Sequence, residues 1–336
     1  MVMSSWSSWT SGWRRVGQAA GMALGVYALT FLLAVPFAYA MRDAIETHLG
    51  RSTVAASVAD GVNYDWWTEF TAQATGLGTT FTPAIIGFAS TLDTISRVLD
   101  ARYPPATLLW LLAAYLALWT FLSGGIIDRY ARQRPTRAYG FFGVSGMLFF
   151  RLVRLAAIAG AVYWLLFHYL HPWLLLDVYR DRTRGLGVER IAFAWRLLFY
   201  GLFGALLLLT NVVSDYARIR LVVEDRRSAI GAVLAALRFI ARQPAAVCGL
   251  YGLNSLVFVL LLALWSLIAP GVRGTGAALW LAFGVGQLYL LARLAIKLHF
   301  LASQTALFQA HLAHASYTAV PVPTWPESPA AESLSA

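Results

Sequence analysis

Hydrophobic residues run through this chain in long uncharged blocks, separated by short clusters of arginine and acid. Between successive charges lie 26 residues (Arg15 to Arg42), 25 (Arg102 to Asp128), 22 (Arg154 to Asp177), 18 (Arg196 to Asp215), 30 (Arg242 to Arg273) and 19 (Arg273 to Arg293). About 20 apolar residues cross a bilayer as helix, so each block has the length of a span. The pattern predicts spans at about 18–41, 106–127, 151–173, 192–214, 246–268 and 277–298. The expected fold is therefore all-α, a polytopic integral membrane helical bundle of about six transmembrane helices forming one domain over 1–316.

Outside the spans the period is that of amphipathic helices. Trp6, Trp9 and Trp13 make one stripe on a Ser/Gly-rich segment, which predicts a short helix lying on the membrane surface before the first span. Residues 42–105 form an external helical loop, in which Thr82 and Pro83 provide an N-cap and first-turn proline for a helix over 83–101. The uncharged stretch 70–92 offers a re-entrant or seventh span as the alternative, but its Thr, Gly, Gln and Pro content argues against it. "NYDWWTEF" at 63–70 reads as an interfacial tryptophan cluster, and the proline-rich 317–336 as a disordered cytoplasmic tail.

One motif recurs. "SGGIIDRYAR" ends at Arg132 and "SDYARIRLVVEDRRSAIGAVLAALRFIARQP" begins at Ser214, and in each the aspartate precedes an arginine by 23 residues: Asp128 to Arg151 and Asp215 to Arg238. Each copy reads as a span ending in Asp, Tyr and Arg, then a half-buried segment, then a returning span. Spans two and three thus form a parallel two-helix repeat of spans four and five. The amphipathic "KLHFLASQTALFQAHLAHA" after span six and the Trp-striped segment before span one suggest a split third unit around a pseudo-threefold axis. The two corner motifs resemble bacterial six-helix membrane proteins of the glycerophosphodiester phosphodiesterase membrane-domain type. That resemblance covers about a third of the chain and implies a membrane partner or accessory module, not a catalytic domain.

Composition agrees, with 59% hydrophobic residues and a mean hydropathy of +0.63. The net charge of +10 does not point to nucleic acid, because the arginines flank apolar windows instead of forming one basic face. With the N-terminus inside, 16 of the 26 basic residues fall on the cytoplasmic side, which predicts both termini cytoplasmic in a bacterial inner membrane. Arg14 and Arg15, an apolar run and "AYA" at 38–40 imitate a cleaved signal, but the run is long for one and reads as a retained first helix. The lone Cys248 excludes an intramolecular disulfide.

Candidate chemistry is sparse. Asp128, Tyr130 and Arg132, with Asp215, Tyr216 and Arg218, form a candidate site for anionic lipid headgroups or a partner membrane protein; the plainer reading makes them topology anchors. Arg196, Asn211, Asn254 and Gln287 form a candidate polar path inside the spans, with helix-to-helix hydrogen bonding as the plainer reading. His168 and His171, like His311 and His314, have metal-compatible spacing without a third ligand. No nucleophile and base stand at catalytic spacing, and no nucleotide or zinc motif occurs, so the expectation is a protein without cofactor or metal. Its expected role is a non-enzymatic accessory or scaffold protein; a small transporter or permease subunit is the rival.

Overall fold

A computed structural model describes residues 5–50, 52–61, 63–81, 88–102, 106–269 and 276–314. The chain is an all-α membrane bundle, 89% helical, with no strand among the described residues. In chain order the helices are α1 (Ser5–Gly17), α2 (Ala20–Leu49), α3 (Ala55–Asp60), α4 (Tyr64–Gln73), α5 (Phe88–Leu99), α6 (Ala106–Arg132), α7 (Ala138–Leu165), α8 (Tyr179–Thr183), α9 (Glu189–Val223), α10 (Ala229–Arg242), α11 (Pro244–Ile268) and α12 (Ala277–His314). Six helical runs are long and apolar enough to cross a membrane: α2, α6, the run from α7 through α8, α9, α11 and α12. Large apolar side chains stand outward along them, among them Trp110, Leu267 and Leu281. Such a surface is the expected complement of lipid tails.

The third span is longer than predicted. From Ala138 to Thr183 the helix is unbroken, passing through π-helical turns at Leu166–Leu170 and Trp173–Val178 on either side of Pro172. A proline deletes one helical hydrogen bond, and a π-turn absorbs the misfit without ending the helix. The half-buried segment expected before Arg151 is therefore the first half of α7, which folds back tightly on α6. A Cβ on Gly125 would lie 2.4 Å from Ser145 Oγ, so the two helices meet at a contact only glycine permits.

The second copy does break. Gln243 adopts φ −131° and ψ 48°, and Pro244 opens α11. A residue before proline avoids the α conformation, and proline brings no N–H to continue the ladder. The equivalent positions in the first copy, 87 residues earlier, are Ala156 and Ala157, which carry the helix straight through. Ser228 caps the separate helix, its Oγ accepting from Gly231 N at 3.1 Å. The corners thus share a motif but differ in shape.

The third unit is absent as a two-helix corner, because α12 runs unbroken from Ala277 to His314. Its last third is not amphipathic in its surroundings: every residue from Leu301 to Phe308 is buried. What buries it is largely α1, which packs against α12 and α11. The inward face of α1 is Ser8, Ser11, Gly12 and Arg15, with Trp6 left outside. Trp13 stacks on His299 with ring centroids 4.1 Å apart, and Trp9 meets the same ring edge-on. The chain ends do meet, through a small-residue contact rather than through paired interfacial helices.

At the far end, Trp66 and Phe70 of α4 are buried against His48, and Trp66 Nε1 donates to His48 Nδ1 at 3.1 Å. Trp66 therefore closes a small core, while Trp67 is only half-buried and Tyr64 is exposed. Helix α5 realises the expected amphipathic segment over 88–99; its proposed cap at Thr82 and Pro83, and the tail 317–336, lie outside the described residues. Of the stretch 70–92, the described part ends α4, makes a 3-10 turn at Gly76–Thr80 and opens α5 at Phe88, and no described run in it is long enough to span.

Candidate functional site

Asp215 lies inside α9, eight residues before its end, with its side chain 14% exposed. Tyr251 of α11 donates its hydroxyl to Asp215 Oδ2 at 2.6 Å, Gln304 Nε2 of α12 approaches the same oxygen at 3.3 Å, and Arg218 Nη1 stands 3.5 Å from Oδ1. Asn211 Nδ2 donates to the Tyr251 hydroxyl at 3.3 Å. Three helices are thus pinned through one carboxylate, with hydrogen bonds and charge both compensating its desolvation. Nearby on α12, Lys297 sits 3.4 Å over the Trp119 ring and donates to the Tyr115 hydroxyl at 2.8 Å.

Asp128 is used differently. Its Oδ1 accepts from Arg132 Nε at 2.7 Å within α6, and Arg132 is largely exposed. The two aspartates share none of these partners, so the repeat does not assemble a single acid pair. Tyr130 and Tyr216, expected at the lipid interface, are instead fully buried, 1% and 0% exposed, with Tyr216 packed on Phe239. The corner motifs face the bundle: the first packs with α6 on α7 and α12, and the second with α9 on α10 and α7.

The end of α6 is capped from elsewhere in the chain. Arg15 Nη1 donates to the Tyr130 carbonyl at 3.0 Å and to Gln309 Oε1 at 2.8 Å, while Gln309 Nε2 donates to the Ala131 carbonyl at 3.0 Å. Arg129 Nη2 returns a bond to the Gln18 carbonyl at 3.0 Å. A helix C-terminus leaves its last carbonyls unpaired, and a cation there also offsets the macrodipole. Burial, and secondarily the adjacent Arg14, pulls the Arg15 guanidinium down to about 10, so it remains charged at neutral pH.

The four residues of the expected polar path do not line up as one. Asn254 is wholly buried and donates to Ser303 Oγ at 3.0 Å. Gln287 accepts from the Tyr27 hydroxyl at 2.6 Å, and Asn211 joins the Asp215 cluster. Arg196 is exposed near the other end, over the Tyr179 and Tyr200 rings, with its Nε bonded to the Tyr200 hydroxyl at 3.3 Å. Tyr200 in turn donates to Asp100, and this bond holds the Asp100 carboxyl below its ordinary range. None of the four lines the surface cavity beside α10 or the one along residues 38–55.

The larger concentration of free charge lies where the ends of α9 and α12 meet α10. A cavity of about 570 Å³ there is lined by Arg220, Arg226, Arg238, Arg242, Gln243 and His311, with Phe239 and Phe308 at its floor. The cavity left no sign in the sequence, since Phe308 and His311 reach it from about 70 residues away. Tyr251, Gln304, Gln309 and Arg15 were missed as well; the polar run Ser303–Gln304–Thr305 inside an apolar segment was the available signal. Among the described residues no group of histidine, cysteine and acid is arranged for a metal; His171 Nε2 donates to the Leu99 carbonyl at 2.8 Å, and the His314 side chain lies outside the described residues. No protein-family model, curated protein or solved structure matches the chain.

Proposed function

We propose that this chain is a non-enzymatic accessory or scaffold protein of a bacterial inner membrane, with both termini cytoplasmic, engaging anionic lipid or a partner membrane protein through the end that carries α10. The observation that supports it is that interior polar groups bond from helix to helix: Asp215 with Tyr251 and Gln304, and Asn254 Nδ2 with Ser303. Intramembrane polar groups that bind or conduct a solute face a cavity, whereas those bonded helix to helix build the bundle. Basic residues then concentrate at the α10 end, as the positive-inside pattern of the chain also has it. The accessory role implied by the resemblance of the corner motifs points the same way, and no catalytic step is assigned.

A scaffold is held in an assembly. Arg132→Glu together with Arg227→Glu reverses charge at both corners and leaves the Asp215–Arg218 pair intact; native electrophoresis of mild detergent extracts is expected to show the wild-type chain in a larger complex and the variant released from it at equal abundance. A wild-type chain migrating alone in extracts of its own membrane would overturn the proposal.

A further inference from the structure

We infer that the cavity between α9, α10 and α12 binds a phosphate group carrying two or more negative charges, a phosphomonoester or diphosphate. The charge count carries the argument. Four arginines line the space, and the carboxylate that contacts them is Glu224, which Arg220 and Arg226 share: Arg220 Nη2 lies 2.8 Å from Glu224 Oε1, and Arg226 Nε bonds Oε2. Arg238 and Arg242 are exposed on α10 and have no carboxylate within 4.0 Å among the described residues. Four positive charges against one negative leave an excess of three on one side of a partly enclosed space. Guanidinium groups gathered without carboxylates repel one another, and a multiply charged phosphate relieves this with charge-assisted, bidentate hydrogen bonds.

The arrangement is also built to stay in place. Arg220 is fixed by donation to the Ala235 carbonyl at 2.6 Å and by the Phe308 ring 5.3 Å beneath it. His311 Nδ1 contacts the Leu307 carbonyl at 2.9 Å, which can only accept, so Nδ1 carries the proton, and the buried Nε2 has no partner. Phe239 and Phe308, with Leu234 and Leu312, give the cavity an apolar wall, so one space offers a basic mouth beside an apolar surface. That combination suits a lipid headgroup with its glycerol and first methylenes, and a soluble diphosphate satisfies the charge alone.

The inference rests on reading this end as the one that engages anionic groups, but the test uses purified protein without partners, so loss of the native complex and loss of the ligand are separate results. Wild-type chain in phosphatidylcholine nanodiscs doped with phosphatidic acid or with phosphatidylglycerol is examined by native mass spectrometry, with inorganic pyrophosphate as a soluble competitor. Phosphatidic acid is expected to be retained in preference to the singly charged phosphatidylglycerol. Arg238→Gln with Arg242→Gln should weaken retention about 30-fold, at roughly fivefold per arginine. Leu234→Trp fills the cavity from an exposed position without altering charge, and should also abolish retention; it decides the matter if the arginine variant unfolds. Displacement by pyrophosphate, or binding of pyrophosphate in place of phosphatidic acid, assigns the site to a soluble phosphate. Equal retention of the two lipids without pyrophosphate binding, or retention unchanged in both variants, overturns the inference.

Discussion

Asp215→Ala should lower the unfolding free energy of the bundle by about 3 kcal/mol. Breaking a fully buried ion pair by removing one partner costs about 3–5 kcal/mol. Arg218, however, keeps 24% of its side chain exposed and can reach solvent or headgroups, which places the charge term at or below the lower end of that range. To this is added the loss of the acceptor for Tyr251 and Gln304; hydrogen bonds between membrane helices average only about 0.6 kcal/mol each, so they contribute about 1 kcal/mol together. Asp215→Asn retains an oxygen for Tyr251 and should lose about half as much. Unfolding in detergent followed by tryptophan fluorescence measures both, and a loss below about 0.5 kcal/mol for the alanine variant, far under the cost of breaking a buried pair, would mean that Asp215 is not the point where α9, α11 and α12 are held.

Gly12→Leu should detach α1. A Cβ at Gly12 would stand 2.8 Å from both His299 Cε1 and Ser303 Cβ, closer than carbon atoms approach, and α12 is packed on its other sides. Overpacking costs about 1–3 kcal/mol where neighbours give way. Here a short helix gives way more readily than the bundle, and α1 takes with it the Arg15 cap on the end of α6. A disulfide reports the separation. A Cβ at Gly249 would lie 3.4 Å from Ser5 Cβ, close to the separation of roughly 3.5–4.5 Å that a disulfide spans. With Cys248 replaced by serine, Ser5→Cys and Gly249→Cys should therefore crosslink nearly to completion on mild oxidation, and adding Gly12→Leu should abolish the crosslink. An undiminished crosslink would show that α1 tolerates the side chain without moving.

The spans were legible because bilayer thickness and helical rise set a length that apolar blocks either meet or miss, and all six met it. Their ends were less so. Charges mark where a span can leave the membrane but not where its helix stops, and α9 runs eight residues past Asp215 while α12 runs well past Lys297. The contrast between Gln243–Pro244 and Ala156–Ala157 was written in the residues, yet the 23-residue interval drew attention to likeness and away from that difference. The buried end of α12 was illegible for another reason. A helix covered on both sides, by α1 and by the other spans, offers the same periodicity as one lying on a membrane, and its Ser303, Gln304 and Gln309 look like a polar face until their partners are known. Long-range pairing also hid the two uses of the corner motif, since Asp215 is completed by residues 36 and 89 positions away and Asp128 by one only four away.

The central claim is that the polar groups inside the spans hold helices together and face no aqueous path. Asn254, wholly buried and bonded to Ser303 of α12, is the position that tests it most directly. In a chain whose Cys248 is replaced by serine, Asn254→Cys should resist a membrane-impermeant maleimide added to either face of sealed vesicles, and should react fully once the protein is denatured. Rapid labelling of the folded chain from either face would contradict the account and establish a water-filled route through the bundle.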